Sequence, residues 1–188
     1  MLYDENAYAK ITPAEILERL EHAGIRVTSQ TLRNWEKYGL ITPAVRKNNK
    51  LRGRSAFYYE YVLAECYAVY QLSHGVEFSR TMPPLPKFSM AHIQIARQIF
   101  YEQYAGRIRG YPPAPRQFAP ELNNNFPNYD FSSRKRSFFI SENRNDYIVT
   151  SMGETIMDLL ANAWIVVLTA GCEKFLRTYK ERRYFYDK

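Results

Sequence analysis

The chain has 188 residues, 46% hydrophobic and 15% aromatic, enough to build a core and inconsistent with a globally disordered polypeptide. Its 26 Lys and Arg against 19 Asp and Glu give a formal charge of +7, a balance that favours a polyanionic partner without requiring one. Two cysteines, Cys66 and Cys172, stand far apart in apolar contexts, which leaves a disulfide framework or a cysteine-rich metal site unsupported.

They read as buried thiols in a reducing compartment. The opening MLYDENAY lacks the basic-then-apolar pattern of a signal peptide. The most apolar run, residues 159–172, is interrupted by Asn162 and is short for a membrane span. A cytoplasmic protein with no membrane partner is expected.

Residues 1–11 read as a loose arm. Thr12-Pro13-Ala14-Glu15 is a capping box with proline at the first helical position, and it predicts a helix over residues 13–23. Ile16, Leu17 and Leu20 form its apolar face, and Gly24 ends it. Thr28 is a good N-cap for a second helix over residues 29–38, closed by Gly39. Leu32, Trp35 and Tyr38 share one face of that helix. Gln30, Arg33, Asn34 and Lys37 occupy the others, and such side chains bond to base edges and phosphates. Two helices joined by a short turn with glycine have helix-turn-helix spacing.

Asn48-Asn49 is a candidate hairpin tip, because Asn tolerates positive φ. Arg46, Lys47, Lys50, Arg52 and Arg54 fall within nine residues, and no acidic residue occurs between Lys37 and Tyr59. A solvated loop usually mixes its charges, so a run of one sign suits a phosphate backbone. A third helix is expected from Tyr58 or Tyr59 to His74, with Val62, Cys66, Val69 and Leu72 on a broad apolar face.

The stretch ITPAEILERLEHAGIRVTSQTLRNWEKYGLITPA resembles the start of a MerR-type winged helix-turn-helix DNA-binding domain, and the resemblance covers about residues 11–75. Thr31-Leu32-Arg33, followed by Trp35, Glu36 and Gly39-Leu40-Ile41, matches the family's second-helix pattern. Gly53 and Phe57 fit the frame of its wing. Asn34 and Trp35 stand where the family usually has tyrosines. The resemblance implies that the second helix enters the major groove, that Arg33 meets a backbone phosphate or a base edge, and that the hairpin grips the flanking strand. The DNA-binding set expected is therefore Ser29, Gln30, Thr31, Arg33, Asn34 and Lys37 from the helix. The wing adds Arg46, Lys47, Lys50, Arg52 and Arg54.

Residues 76–88 hold three prolines and read as a semi-rigid linker. Ser89 could cap a helix over residues 90–104. Residues 107–136 are rich in Pro, Asn, Gly and aromatics. Tyr111, Phe118, Phe126 and Tyr129 there have two readings: the core of a loop-rich domain, or the wall of a pocket for a small cationic or planar effector. Arg134-Lys135-Arg136 is a second basic cluster. A hairpin is expected over residues 137–151, then a long helix to about residue 184. The first half of that helix is apolar almost all round, so it belongs in a core or at a subunit interface. No heptad repeat follows Gly75, unlike the coiled coil by which many proteins of the resembled family dimerise.

His22, His74 and His92 lack metal-ligand spacing. No phosphate loop, nucleophile elbow or carboxylate pair appears, so no catalytic residue, metal or cofactor is expected and the chain does not read as an enzyme. The expected fold is mainly α: a winged helix-turn-helix in residues 1–75, the linker, and a helical or α+β accessory domain in residues 89–188. The expected function is sequence-specific transcriptional regulation on double-stranded DNA as a homodimer. An excisionase-like architectural or recombination-accessory DNA-binding protein is one alternative, and an enzyme or protein-interaction adaptor whose winged module no longer binds DNA is another.

Overall fold

The computed structural model describes residues 8–49, 53–75, 87–101, 108, 111–112 and 156–176. Helix α1, Pro13–His22, begins as its sequence dictates. Thr12 N donates to Glu15 Oε2 at 2.6 Å, and Glu15 N donates to Thr12 Oγ1 at 3.2 Å, so two orphan donors of the first turn are met reciprocally. These bonds, first that from the Thr12 backbone, hold the Glu15 carboxyl below its ordinary range. Helix α2, Ser29–Lys37, starts at Thr28, whose hydroxyl accepts from Thr31 N at 3.1 Å.

Both helices stop by the same device. Gly24 and Gly39 sit at φ 81° and 65°, in the left-handed region. Beyond them Ile25 N donates to Leu20 O and Leu40 N to Trp35 O, each at 2.9 Å. These are Schellman closures, with buried Ile25 and Leu40 as their hydrophobic contacts. Leu32 and Trp35 of α2 are buried as expected, but Tyr38 is 48% exposed. It is the C-cap, where the chain is already leaving the helix.

Three short strands follow the order β1-β3-β2, all antiparallel: β1 Lys10–Ile11, β2 Val45–Asn49 and β3 Gly53–Tyr59. Asn48 and Asn49 are not the hairpin tip. They pair with Arg54 and Gly53, and the residues that join the two strands, 50–52, lie outside the described residues. Helix α3, Val62–His74, starts later than expected, because Tyr58 and Tyr59 are strand residues paired with Ile11 and Lys10. β-Prone aromatics beside a free strand edge go to the ladder rather than to the helix.

Helix α4, Met90–Ile99, is capped by Ser89, whose hydroxyl accepts from His92 N at 3.2 Å. Phe100 and Tyr101 continue it as a π turn, and the rest of the expected 90–104 helix lies outside the described residues. Phe88 is not linker-like: it is buried, and its N–H donates to Leu72 O at 2.8 Å. The rest of the linker, residues 76–86, and the expected hairpin over residues 137–151 lie outside the described residues.

Helix α5, Ile156–Phe175, packs along α3 and against α4. It buries Leu160, Ala161, Ala163, Trp164, Val167, Leu168 and Cys172. It is not enclosed on every side, since Asn162 is exposed and Val166 is 40% exposed. Of the residues expected at the core or a dimer contact, Leu160, Trp164, Val167 and Leu168 are core within one chain. Ile11, Leu32, Leu63, Ile93 and Trp164 belong to one hydrophobic cluster, so elements from both sides of the expected linker share a core.

The described residues are thus mainly helical, five helices beside one small sheet. Among them, no helix is long and apolar enough to cross a membrane. Cys66 and Cys172 are buried free thiols.

The α3–α5 crossing depends on a glycine. A Cβ placed on Gly171 would lie 2.9 Å from Ala64 O and 3.0 Å from Ala64 Cα, both backbone atoms. Gly171→Val should therefore push α5 off α3 and destabilise the fold by about 1–3 kcal/mol through overpacking. Thermal unfolding followed by circular dichroism reads this as a lowered midpoint; an unchanged midpoint would contradict the crossing.

Candidate nucleic-acid interface

Burying Leu32 and Trp35 turns the opposite side of α2 outward. Ser29, Gln30, Arg33, Asn34 and Lys37 are all exposed, as is Arg26 in the turn before them. Thr31 is half-buried, and its hydroxyl bonds to that of Thr28 at 2.9 Å. Gln30 Nε2 donates to Asn34 Oδ1 at 3.0 Å across one helical turn. The helix has one carboxylate, Glu36, and it points away from this face. Its side chain is 9% exposed. Arg46 Nη2 donates to its Oε1 at 2.5 Å, and Tyr58 Oη to its Oε2 at 2.9 Å. Burial, and then the Glu36 charge, pushes the Tyr58 hydroxyl well above its ordinary ionisation range.

These two bonds tie α2 to β2 and β3, and so fix the hairpin beside the helix. They also give Arg46 a role that the sequence did not suggest. It is an ion-pair partner of Glu36, although its side chain remains 65% exposed. Among the described residues, Arg26, Arg33 and Lys37 enter no ion pair. Lys37 Nζ lies 5.7 Å from the centre of the Tyr38 ring. The side chains of Lys47, Lys50, Arg52 and Arg54 fall outside those described.

Behind α2, the turn that leads to the hairpin is held by groups that sequence reasoning missed. Glu65 of α3 is fully buried. It accepts from Thr42 N at 2.5 Å, Thr42 Oγ1 at 2.9 Å, Arg97 Nη2 at 3.0 Å, Tyr101 Oη at 2.9 Å and Tyr111 Oη at 2.5 Å. The Tyr101 and Tyr111 hydroxyls also touch each other. Arg97 of α4 donates onward to Gly39 O at 3.0 Å and Thr42 Oγ1 at 2.9 Å. Burial is the largest single influence and disfavours the Arg97 charge, but Glu65, Tyr101 and Tyr61 together outweigh it and raise the guanidinium above its ordinary ionisation range.

Tyr111 is therefore core, 4% exposed and bonded to Glu65. Phe118, Phe126 and Tyr129, its companions in the effector-pocket reading, lie outside the described residues, as does the second basic cluster. A signal for the network existed in the sequence: single charges inside apolar runs, Glu65 in VLAEC and Arg97 in IQIARQI. Among the described residues, no three His, Cys, Asp or Glu side chains form a group able to hold a metal ion. Comparison of the chain with family models, curated proteins and solved structures gives no significant match.

Two outcomes are expected. Arg97→Met or Glu65→Gln alone should destabilise the protein by about 3–5 kcal/mol, because each strands a buried partner. The double variant should lose clearly less than the sum. Urea unfolding of the four proteins measures the coupling, and additive losses would refute it.

The second outcome concerns alkali. Burial raises the ionisation of Cys66 and Cys172 above the ordinary 9.0, and that of Tyr58 and Tyr101 above 10.0. A group whose folded value is raised gives stability that is complete below its unfolded value and lost above it. Urea midpoints should therefore stay level up to about pH 8.5 and fall above about pH 9. A midpoint that rises through that range would show the opposite linkage.

Proposed function

We propose that this chain is a sequence-specific DNA-binding transcriptional regulator that acts as a MerR-like winged helix-turn-helix protein in the cytoplasm. In this reading α1 and α2 are the helix-turn-helix, α2 lies in the major groove, and the β2–β3 hairpin is the wing on the flanking backbone. The observation that carries it is the exposed side of α2. Donor-rich Ser29, Gln30 and Asn34 stand there with cationic Arg33 and Lys37, while the only carboxylate of the helix is turned inward onto Arg46 and Tyr58. A surface that removes its own negative charge in this way is matched to a polyanion.

Arg33 and Lys37 would neutralise phosphates and release their counterions, while Gln30 and Asn34 meet base edges. Arg46 acts here mainly as a positioning residue, holding the wing against α2 through Glu36. Lys47, Lys50, Arg52 and Arg54 supply the wing's further cations by sequence. Two copies reading two half-sites complete the assembly.

Fluorescence anisotropy on selected and scrambled duplexes, at several salt concentrations, tests the reading. The full chain should bind with a steep salt dependence. Arg33→Ala and Lys37→Ala should each weaken binding and flatten the slope of log affinity against log salt by about one unit per lost phosphate contact. Slopes unchanged in both variants would remove α2 from the interface.

A further inference from the structure

The turn after α2 joins the two elements assigned to DNA, leaving the helix at Gly39 and entering β2 at Val45. Its hold comes from residues further along the chain. Arg97 of α4 donates through Nη1 to Gly39 O at 3.0 Å and through Nη2 to Thr42 Oγ1 at 2.9 Å. The same Nη2 reaches Glu65 Oε1 at 3.0 Å, and Glu65 in turn accepts from both N and Oγ1 of Thr42. Gln94, one helical turn before Arg97, also borders this turn: a Cβ placed on Gly39 would lie 3.7 Å from its Nε2. Thr42, Glu65, Gln94 and Arg97 are all buried.

A planar guanidinium holds two acceptors in fixed directions, which an ammonium cannot do. Arg97 thereby fixes where the helix ends relative to where the hairpin begins. Such fixing matters more for base edges than for phosphates. Hydrogen bonds to base edges weaken steeply with distance and angle. The attraction of a cation to the backbone reaches over about 8 Å at physiological salt. Loss of the fork therefore shows in discrimination between sequences before it shows in general affinity.

We infer that Arg97 and Thr42 are positioning residues for DNA recognition, so that α4 belongs to the DNA-reading unit although it lies beyond the residues that resemble the winged family. The inference rests on the DNA-binding reading given above. It goes beyond it in assigning a role to α4, which presents no group to the duplex and acts through the turn behind α2.

The experiment selects duplexes from a random pool with the full chain. Affinity is then measured by anisotropy for the selected duplex and for a scrambled one. The proteins compared are wild type, Arg97→Lys, Thr42→Val and Thr42→Ser. Lysine keeps a positive charge beside Glu65 but loses the fork. Valine keeps the shape of threonine without the hydroxyl, which serine retains. Circular dichroism at the assay temperature establishes that each protein is folded. The preference for the selected duplex should fall about tenfold in Arg97→Lys and in Thr42→Val, the size of one lost base contact. Affinity for the scrambled duplex should change less than about twofold, and Thr42→Ser should keep the wild-type preference. A purely structural loss would instead lower both affinities by one factor, the fraction folded, and leave their ratio untouched.

A wild-type preference in folded Thr42→Val overturns the inference, as does an equal fall of both affinities. So does a loss in Thr42→Ser as large as that in Thr42→Val. If Arg97→Lys does not fold, the two Thr42 variants decide. If wild type prefers its selected duplex with a steep salt slope and the variants match it, DNA binding stands and only the role of α4 fails. If wild type binds no duplex, both fall together.

Discussion

The Glu65–Arg97 pair is the constraint on which the arrangement of this protein turns. A carboxylate and a guanidinium removed from water each carry a desolvation penalty of several kcal/mol. The interior must return that in hydrogen bonds with defined directions. Glu65 collects them from Thr42, Arg97, Tyr101 and Tyr111, and Arg97 extends them to the Gly39 carbonyl. Helices α3 and α4, the segment beyond α4, and the turn after α2 therefore meet at one point. The net contribution of such a network to stability is modest. Its bonds are directional, and they join the Gly39–Thr42 turn, whose Leu40 and Ile41 are buried in the core, to α3 and α4.

The outer surface of α2 depends on that anchoring. Leu32 and Trp35 hold the helix down, and Glu36 reaches the hairpin through Arg46 and Tyr58. The helix is thus bound at its underside, at its C-terminal turn and along its hairpin flank, while Ser29, Gln30, Arg33, Asn34 and Lys37 stay in water. Rigid backing with a polar, cationic front is what recognition of an extended polyanion asks of a short helix.

Much of this was legible in the sequence where local chemistry decides. Thr12, Thr28 and Ser89 are caps, and Gly24 and Gly39 are stops, because a hydroxyl or a missing Cβ settles the matter within a few residues. The start of α3 was misread because the tyrosines at 58 and 59 suit a strand or a helix, and their pairing partners lie in β1, some fifty residues upstream. The position of the hairpin tip was misread for a related reason, since Asn48 tolerates a turn but its register is set by Arg54 across the ladder. The buried network was invisible to periodicity. Glu65 and Arg97 are 32 residues apart, and only tertiary packing brings them together. On the candidate interface, the exposure of Gln30, Arg33 and Asn34 followed from Leu32 and Trp35 facing inward. The capture of Arg46 by Glu36 did not, because a basic run read along the chain shows no partner ten residues back.

The docking of α5 on α3 has a consequence for how the chain comes off the ribosome. Roughly 80 residues separate His74 from Ile156. At ~5–20 residues per second they take ~4–16 s to synthesise. During that interval α1, α2, the hairpin and α3 are already available to fold, while the side of α3 against which Gly171 will pack waits for α5. The nascent protein therefore carries a sticky apolar strip for seconds, long compared with helix formation and local collapse. Its yield in a cell depends on whether a chaperone shields that strip before a neighbouring chain adheres to it.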